Sequence, residues 1–495
     1  MAERKHLFGS SEKTDFIVNL SDEGTKKLCA MYCIVSMILI ELVALPYYLT
    51  KNVVDYVDNV LGAEVKHYLS EKVIYWVIVL MLGFGLLGLS VLLIGRMKKQ
   101  VSFADNKALV IMGCIIVMSF ISAMCSYDVN TAMTGYQDRA EGFMTLIGYY
   151  GFFAAAFTVV GDGWRKRLCA VMISVGTLNA VVGILQVIPA LDDIIPNWFS
   201  KLNVNTAIAL DLSAANGLAM TPHALAALLT VCFAAALAAV MFTEKLSSRL
   251  LSGAAAAVMT VAAVFTRTAT ALIGIGTAAF VMLAIGIAYA AKSKKPSDGG
   301  QEPVSAKKVI ISLCCALVAA GASVGVLAAT DNLQLHDEEV IYTDALRMIM
   351  LLDKDDSETW IYPYLWDDGL YIAEQNPIVG TGPDNYTTIY RAGSSIDRTY
   401  NEYIDTAMQR GFITMGLYIL FVLLTLVKAI KAVAAFIRGE VGWAAAAVCG
   451  GLFAYSVQAF FNISALTSTP FFFICVGLAW SYTARKKRKT EKKEN

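Results

Sequence analysis

The chain has 495 residues, 57% of them hydrophobic and 16% charged, with basic and acidic side chains balanced at 40 each. A soluble globular domain carries about 25% charged residues, so this composition, with a mean hydropathy of +0.59, excludes an ordinary water-soluble fold. The formal net charge of zero gives no electrostatic footprint for nucleic acid, and the partner that the composition demands is a lipid bilayer.

A membrane-spanning helix needs about 20 mainly apolar residues. After a polar, charged N-terminal tail (1–27), runs that meet this criterion lie at 28–49, 73–95, 108–126, 143–160, 168–190, 222–242, 250–265, 269–291 and 309–329. A long polar segment (330–411) follows, then runs at 412–432, 441–461 and 464–482, and a basic tail (483–495). The 250–265 run is short and 222–242 opens on Thr221-Pro222-His223, so either could be re-entrant or broken. The pattern predicts an all-α polytopic membrane protein of about twelve spans, with one large structured loop between spans nine and ten. The first apolar run is long enough to span and follows a charged stretch, so no cleavable signal peptide is expected. The ten cysteines, at 29, 33, 114, 125, 169, 232, 314, 315, 449 and 475, lie in or at the edges of these runs. They show neither metal-ligand spacing nor a disulfide framework, and read as small apolar packing residues. No metal and no cofactor are expected.

Charge sets the orientation. With both termini on the cytoplasmic side, 29 of the 40 lysines and arginines fall in cytoplasmic segments, and 16 acidic residues fall in 330–411. That is the positive-inside bias, and it places the long loop outside. Trp360, Tyr362, Tyr364, Trp366 and Tyr371 give the loop apolar surface with which to pack, and short helices are expected near 341–352, 364–375 and 398–410. The linker 292–306 and the C-terminal basic run read as solvated and lipid-touching segments.

Charge at membrane depth or at its surface is costly and marks candidate sites. On the outer side these are Arg139, in Gly135-Tyr136-Gln137-Asp138-Arg139-Ala140-Glu141-Gly142; His223, at the start of span six; and Arg267, in Thr266-Arg267-Thr268 between spans seven and eight. In the long loop they are His336, Arg391, Arg398 and Arg410. The plainer reading of Arg267 is a side chain reaching to lipid headgroups. Arginine also suits phosphate, because its planar fork binds oxygens two at a time and keeps its charge.

Pro377-Ile378-Val379-Gly380-Thr381-Gly382, then Tyr400-Asn401 opening an amphipathic stretch, then a Gly-led apolar run from Gly411, resemble the signature of the O-antigen ligase and polymerase superfamily. Asn179 to Gln186, Thr221-Pro222-His223-Ala224, Tyr455 to Asn462 and Thr469-Pro470 resemble further elements of it, in order over roughly 110–480. The resemblance implies transfer of a glycan from an undecaprenyl-diphosphate carrier to a hydroxyl of a glycan or cell-envelope acceptor. The transfer would need no metal and would take place at the outer face of the bacterial cytoplasmic membrane. It implies that Arg139, Arg267, Arg391 and Arg398 hold the diphosphate, and that the site region includes His223, Gly380, Gly382 and Gln186. The family's histidine-asparagine pair is Tyr400-Asn401 here. Tyrosine is a poor base near neutral pH, so either another residue, His336, Glu402, Asp405 or His223, takes the proton, or Tyr400 serves only to orient the acceptor. Gly380-Thr381-Gly382 reads as a tight turn before Pro383-Asp384, since no strand or lysine accompanies it as a nucleotide loop would require. Two rival readings stand. A non-catalytic glycan-binding partner fits the missing histidine. A flippase or transporter would need charge strung along several spans, where Glu41 is essentially alone.

Overall fold

The computed structural model describes residues 20–43, 63–98, 106–136, 139–187, 214–266, 268–293, 361–385 and 398–483. The expected span at 309–329, the short helix near 341–352, the 294–306 part of the linker and the C-terminal basic run lie outside these residues. So do His336, Arg267 and Arg391.

The described chain is helical, with no β-sheet. In chain order the helices are α1 (Asp22–Leu39), a 3₁₀ turn (Ile40–Val43), α2 (Ala63–Met97), α3 (Lys107–Met124) and the short α4 (Val129–Thr134). They continue with α5 (Phe143–Phe157), α6 (Asp162–Leu185), α7 (Pro222–Phe242), α8 (Leu246–Phe265) and α9 (Ala269–Ser293). The last are α10 (Ile361–Gln375), α11 (Glu402–Ile437), α12 (Ala444–Gln458) and α13 (Thr469–Thr483). Eleven of the twelve apolar runs fall on these helices. Seven of the helices are long and apolar enough to cross a membrane, and α5, α12 and α13 are shorter apolar ones. The chain is therefore a polytopic α-helical membrane protein. Seven candidate spans and three shorter apolar helices do not reach a count of twelve among the described residues.

Helix α7 is the hub, and all 21 of its residues are buried. Thr221 caps it, its hydroxyl accepting from Ala224 N at 3.1 Å, and Pro222 takes the first-turn position where a missing N–H costs nothing. Eight alanines keep its surface thin, and it packs on α6, α8, α9 and α12 at once. Water exclusion gives helices little reason to associate inside a bilayer, so close backbone approach through small residues has to supply the contact. The α2–α5 crossing shows the same device: a methyl on Gly85, Gly88, Gly148 or Gly151 would overlap backbone of the facing helix.

Helix α11 is broken at Gly411, whose φ of 82° and ψ of 162° lie in a region open essentially to glycine alone. The break divides a short segment, 402–410, from the long apolar one that follows. It positions the site.

Candidate functional site

Interrupting a helix strands carbonyls and N–H groups that must find partners. Here the Pro377–Gly382 turn supplies them. Thr381 N donates to Met408 O at 3.0 Å, Gly382 N to Gln409 O at 2.9 Å, and Phe412 N to Pro377 O at 2.8 Å. Ser122 of α3 adds its hydroxyl to Gln409 O at 2.8 Å. Gly380 and Gly382 both take positive φ, and a side chain at either would strike α11 or Ser126. The turn thus plugs the break and ties α11 to α3.

The turn delivers Asp384 into a buried ion cluster. Asp384 Oδ2 accepts from Tyr136 N at 2.6 Å and Glu141 N at 3.3 Å, and its Oδ1 pairs with Arg139 Nε at 2.9 Å and Arg398 Nη2 at 3.2 Å. Arg398 also meets Glu141 Oε2 at 2.5 Å and lies 3.7 Å from Asp405 Oδ2. None of these five side chains is more than 9% exposed. Burial alone would loosen the Arg398 proton, but Glu141, Asp384 and Asp405 overrule it and hold the guanidinium firmly charged. Burial pushes the Glu141 carboxyl above the usual glutamate range, against the pull of Arg398 and with a push from Asp384. Three carboxylates share two guanidiniums, and the surplus falls on Glu141.

Beside this cluster is a cavity of ≈ 40 Å³, room for two or three waters. It lies at the end of the bundle where α5, α11 and α13 begin. Gly142, the N-cap of α5, and Glu402 and Thr469, the first residues of α11 and α13, line it, together with Glu141, Arg410, Tyr418 and Ser464. Met112, Ile115, Leu146 and Phe473 form its apolar walls. Tyr418 Oη donates to Glu402 Oε1 at 2.5 Å and Tyr455 Oη to Oε2 at 3.2 Å. Among the described residues Arg410 has no carboxylate within 4 Å, and the one hydrogen bond of its side chain is a long 3.5 Å contact to Thr406 Oγ1. Its Nε is buried without a partner.

The structure brings some of the residues singled out in the sequence together and separates others. Arg139 and Arg398 share Asp384, while Arg267, Arg391 and His336 lie outside the described residues. Glu402 lines the cavity. Asn401 is the N-cap of α11, its Oδ1 accepting from Tyr403 N and Ile404 N at 3.1 Å each. Tyr400, 1% exposed and at positive φ, holds its ring tilted against that of His223, centroids 4.9 Å apart, off the cavity lining. The His223 Nε2 is buried without a partner. Gln186 clamps the stretch before α7, Oε1 accepting from Asn216 N and Gly217 N at 3.1 and 2.9 Å. Asp384, Glu141, Tyr418 and Tyr455 were not singled out as site residues from sequence. The available signals were slight: Asp384 follows the Gly-x-Gly-Pro turn, and Glu141 stands two residues from Arg139.

Fold and site together define the class: a polytopic α-helical membrane protein with a charged chamber at one end of its bundle. Residues 254–419 match the family described as O-antigen ligase. That stretch runs from α8 to the middle of α11 and contains the Pro377–Gly382 turn, Asp384, Arg398, Glu402 and Arg410. The match supports the O-antigen ligase and polymerase superfamily that the motifs resemble, and with it a membrane function in polysaccharide assembly. No curated protein matches the chain.

Proposed function

We propose that the protein transfers a glycan from an undecaprenyl-diphosphate carrier to an acceptor hydroxyl, at the outer face of the bacterial cytoplasmic membrane with both termini inside. One observation carries the reading: three helix N-termini and an arginine without a carboxylate partner line one cavity with apolar walls. Helix N-termini present partial positive charge to anions. Arg410 adds a full charge. The diphosphate, which gains charge as the sugar leaves it, is stabilised by that arrangement, and the polyprenyl chain lies along lipid and the apolar walls. Arg139 and Arg398 act differently in this reading: their charge is spent on Asp384, Glu141 and Asp405, and they shape the chamber. Arg267 and Arg391 keep their place as further diphosphate ligands.

The test is glycan transfer by Arg410→Ala and Arg410→Lys in membranes supplied with lipid-linked glycan. Alanine should lower transfer by on the order of 10²-fold or more, the loss typical of one removed transition-state donor, with folded protein retained. Lysine should rescue in part, since an ammonium cannot form the two-pronged contact. Wild-type rates in both variants would sink the reading. A non-catalytic binding partner is the second reading, favoured by Tyr400 at the position of the family's histidine. It predicts binding of undecaprenyl diphosphate with no transfer by wild type.

A further inference from the structure

We infer that Glu402 is the group that takes the acceptor's proton, held for that task by Tyr418 and Tyr455; the assignment rests on the transfer reaction proposed above. The usual histidine is replaced by Tyr400, whose ring is buried against His223 and off the cavity. The carboxylates nearby are otherwise engaged. Asp384 is bound by two guanidiniums and two backbone N–H groups, and Asp405 accepts twice from Thr399 and faces Arg398. Glu141 lines the cavity but is paired with Arg398. Glu402 alone, among the described residues, is a carboxylate that lines the cavity with no cation within ion-pair distance. Its two oxygens are fixed by phenol hydroxyls from different helices, 2.5 and 3.2 Å away.

The geometry has a specific origin. Glu402 and Tyr418 are sixteen residues apart on one helix, a rise of about 24 Å if the helix were straight. They touch because the helix is broken at Gly411 and the 402–410 segment turns back on the rest. The Pro377–Gly382 turn that fills the break therefore also places the carboxylate. In the step itself the acceptor oxygen bonds to the sugar's C1 and the C1–O bond to phosphate breaks. The bonding pair leaves with the diphosphate, towards Arg410, and the hydroxyl proton passes to the Glu402 carboxylate. Tyr418 and Tyr455 are positioning residues: they act through Glu402.

The experiment uses the full-length protein in lipid nanodiscs, with undecaprenyl diphosphate as the binding probe. The transfer donor is the undecaprenyl-diphosphate-linked glycan extracted from the producing cells. Glu402→Gln keeps the shape and removes the base. Transfer should fall by roughly 10²–10⁴-fold, the usual worth of a positioned base, while the probe binds within a few-fold of wild type. Retention of a tenth or more of wild-type transfer overturns the assignment and leaves the transfer reading standing. If wild type itself transfers nothing while still binding the probe, the transfer reading fails and this assignment with it. Should the Gln variant not fold, Tyr418→Phe decides the matter: a lower kcat at unchanged acceptor KM supports the role, and an unchanged kcat overturns it.

Discussion

Arg398 and Arg410 stand twelve residues apart at the same chamber, yet their surroundings differ in kind. Arg398 is enclosed by Glu141, Asp384 and Asp405, while Arg410 has no carboxylate within reach among the described residues. The first stands behind the cavity lining, its charge already matched. In the proposed reaction the second keeps its charge for the diphosphate. The number of arginines at a site therefore says little about its affinity for anions. What matters is how many remain unneutralised once the protein's own carboxylates have been placed.

The contrast breaks most readily at Arg398. Arg398→Ala would leave the buried Glu141 and Asp405 without an ion-pair partner and take one of two from Asp384, and removing one partner from such a cluster costs roughly 3–5 kcal/mol. We expect loss of folded protein in detergent by thermal unfolding, where Arg410→Ala stays close to wild type. Equal melting temperatures for the two variants would erase the distinction. Next in size is Gly411→Ala. It forces a side chain into a conformation that costs roughly 1–3 kcal/mol and drives a methyl against Ile378 O. The melting temperature should drop and transfer should be lost together, since the break holds both the turn and Glu402. A variant that melts lower but transfers normally would uncouple the break from the site. The smallest effect is at Asp128, which caps α4 by accepting from Thr131 N at 3.1 Å and Thr131 Oγ1 at 2.7 Å. Asp128→Ala should cost about 1 kcal/mol, read as a small shift in melting temperature with transfer unaffected, which marks the outer limit of the chamber.

Much of the architecture was legible in the sequence because a bilayer imposes its own length and polarity on each helix. Eleven of the twelve apolar runs reappear on helices, and the helices expected near 364–375 and 398–410 are present as α10 and the start of α11. The helix expected from 398 begins four residues later, at Glu402, because Asn401 caps it. The chamber was legible only in outline. Sequence displays Arg139 and Arg398 as cations near the membrane surface. It does not display Asp384, 245 positions from Arg139, closing on both. Nor does spacing along the chain announce that Glu402 will meet Tyr418. Periodicity assumes an unbroken helix, and the one residue that breaks it, Gly411, looks like any other glycine opening an apolar run.

The burial of α7 bears on how the protein is made. A helix with no lipid-facing side cannot reach its final surroundings until its neighbours exist, and one of them, α12, is encoded some two hundred residues later. While synthesis proceeds, the alanine-rich surface of α7 must tolerate lipid or temporary partners in the places that α12 will fill. The centre of the bundle is thus completed late, by the C-terminal third of the chain. The chamber helices α11 and α13 arrive in that same third, so the core closes and the site takes shape in one final stage of assembly.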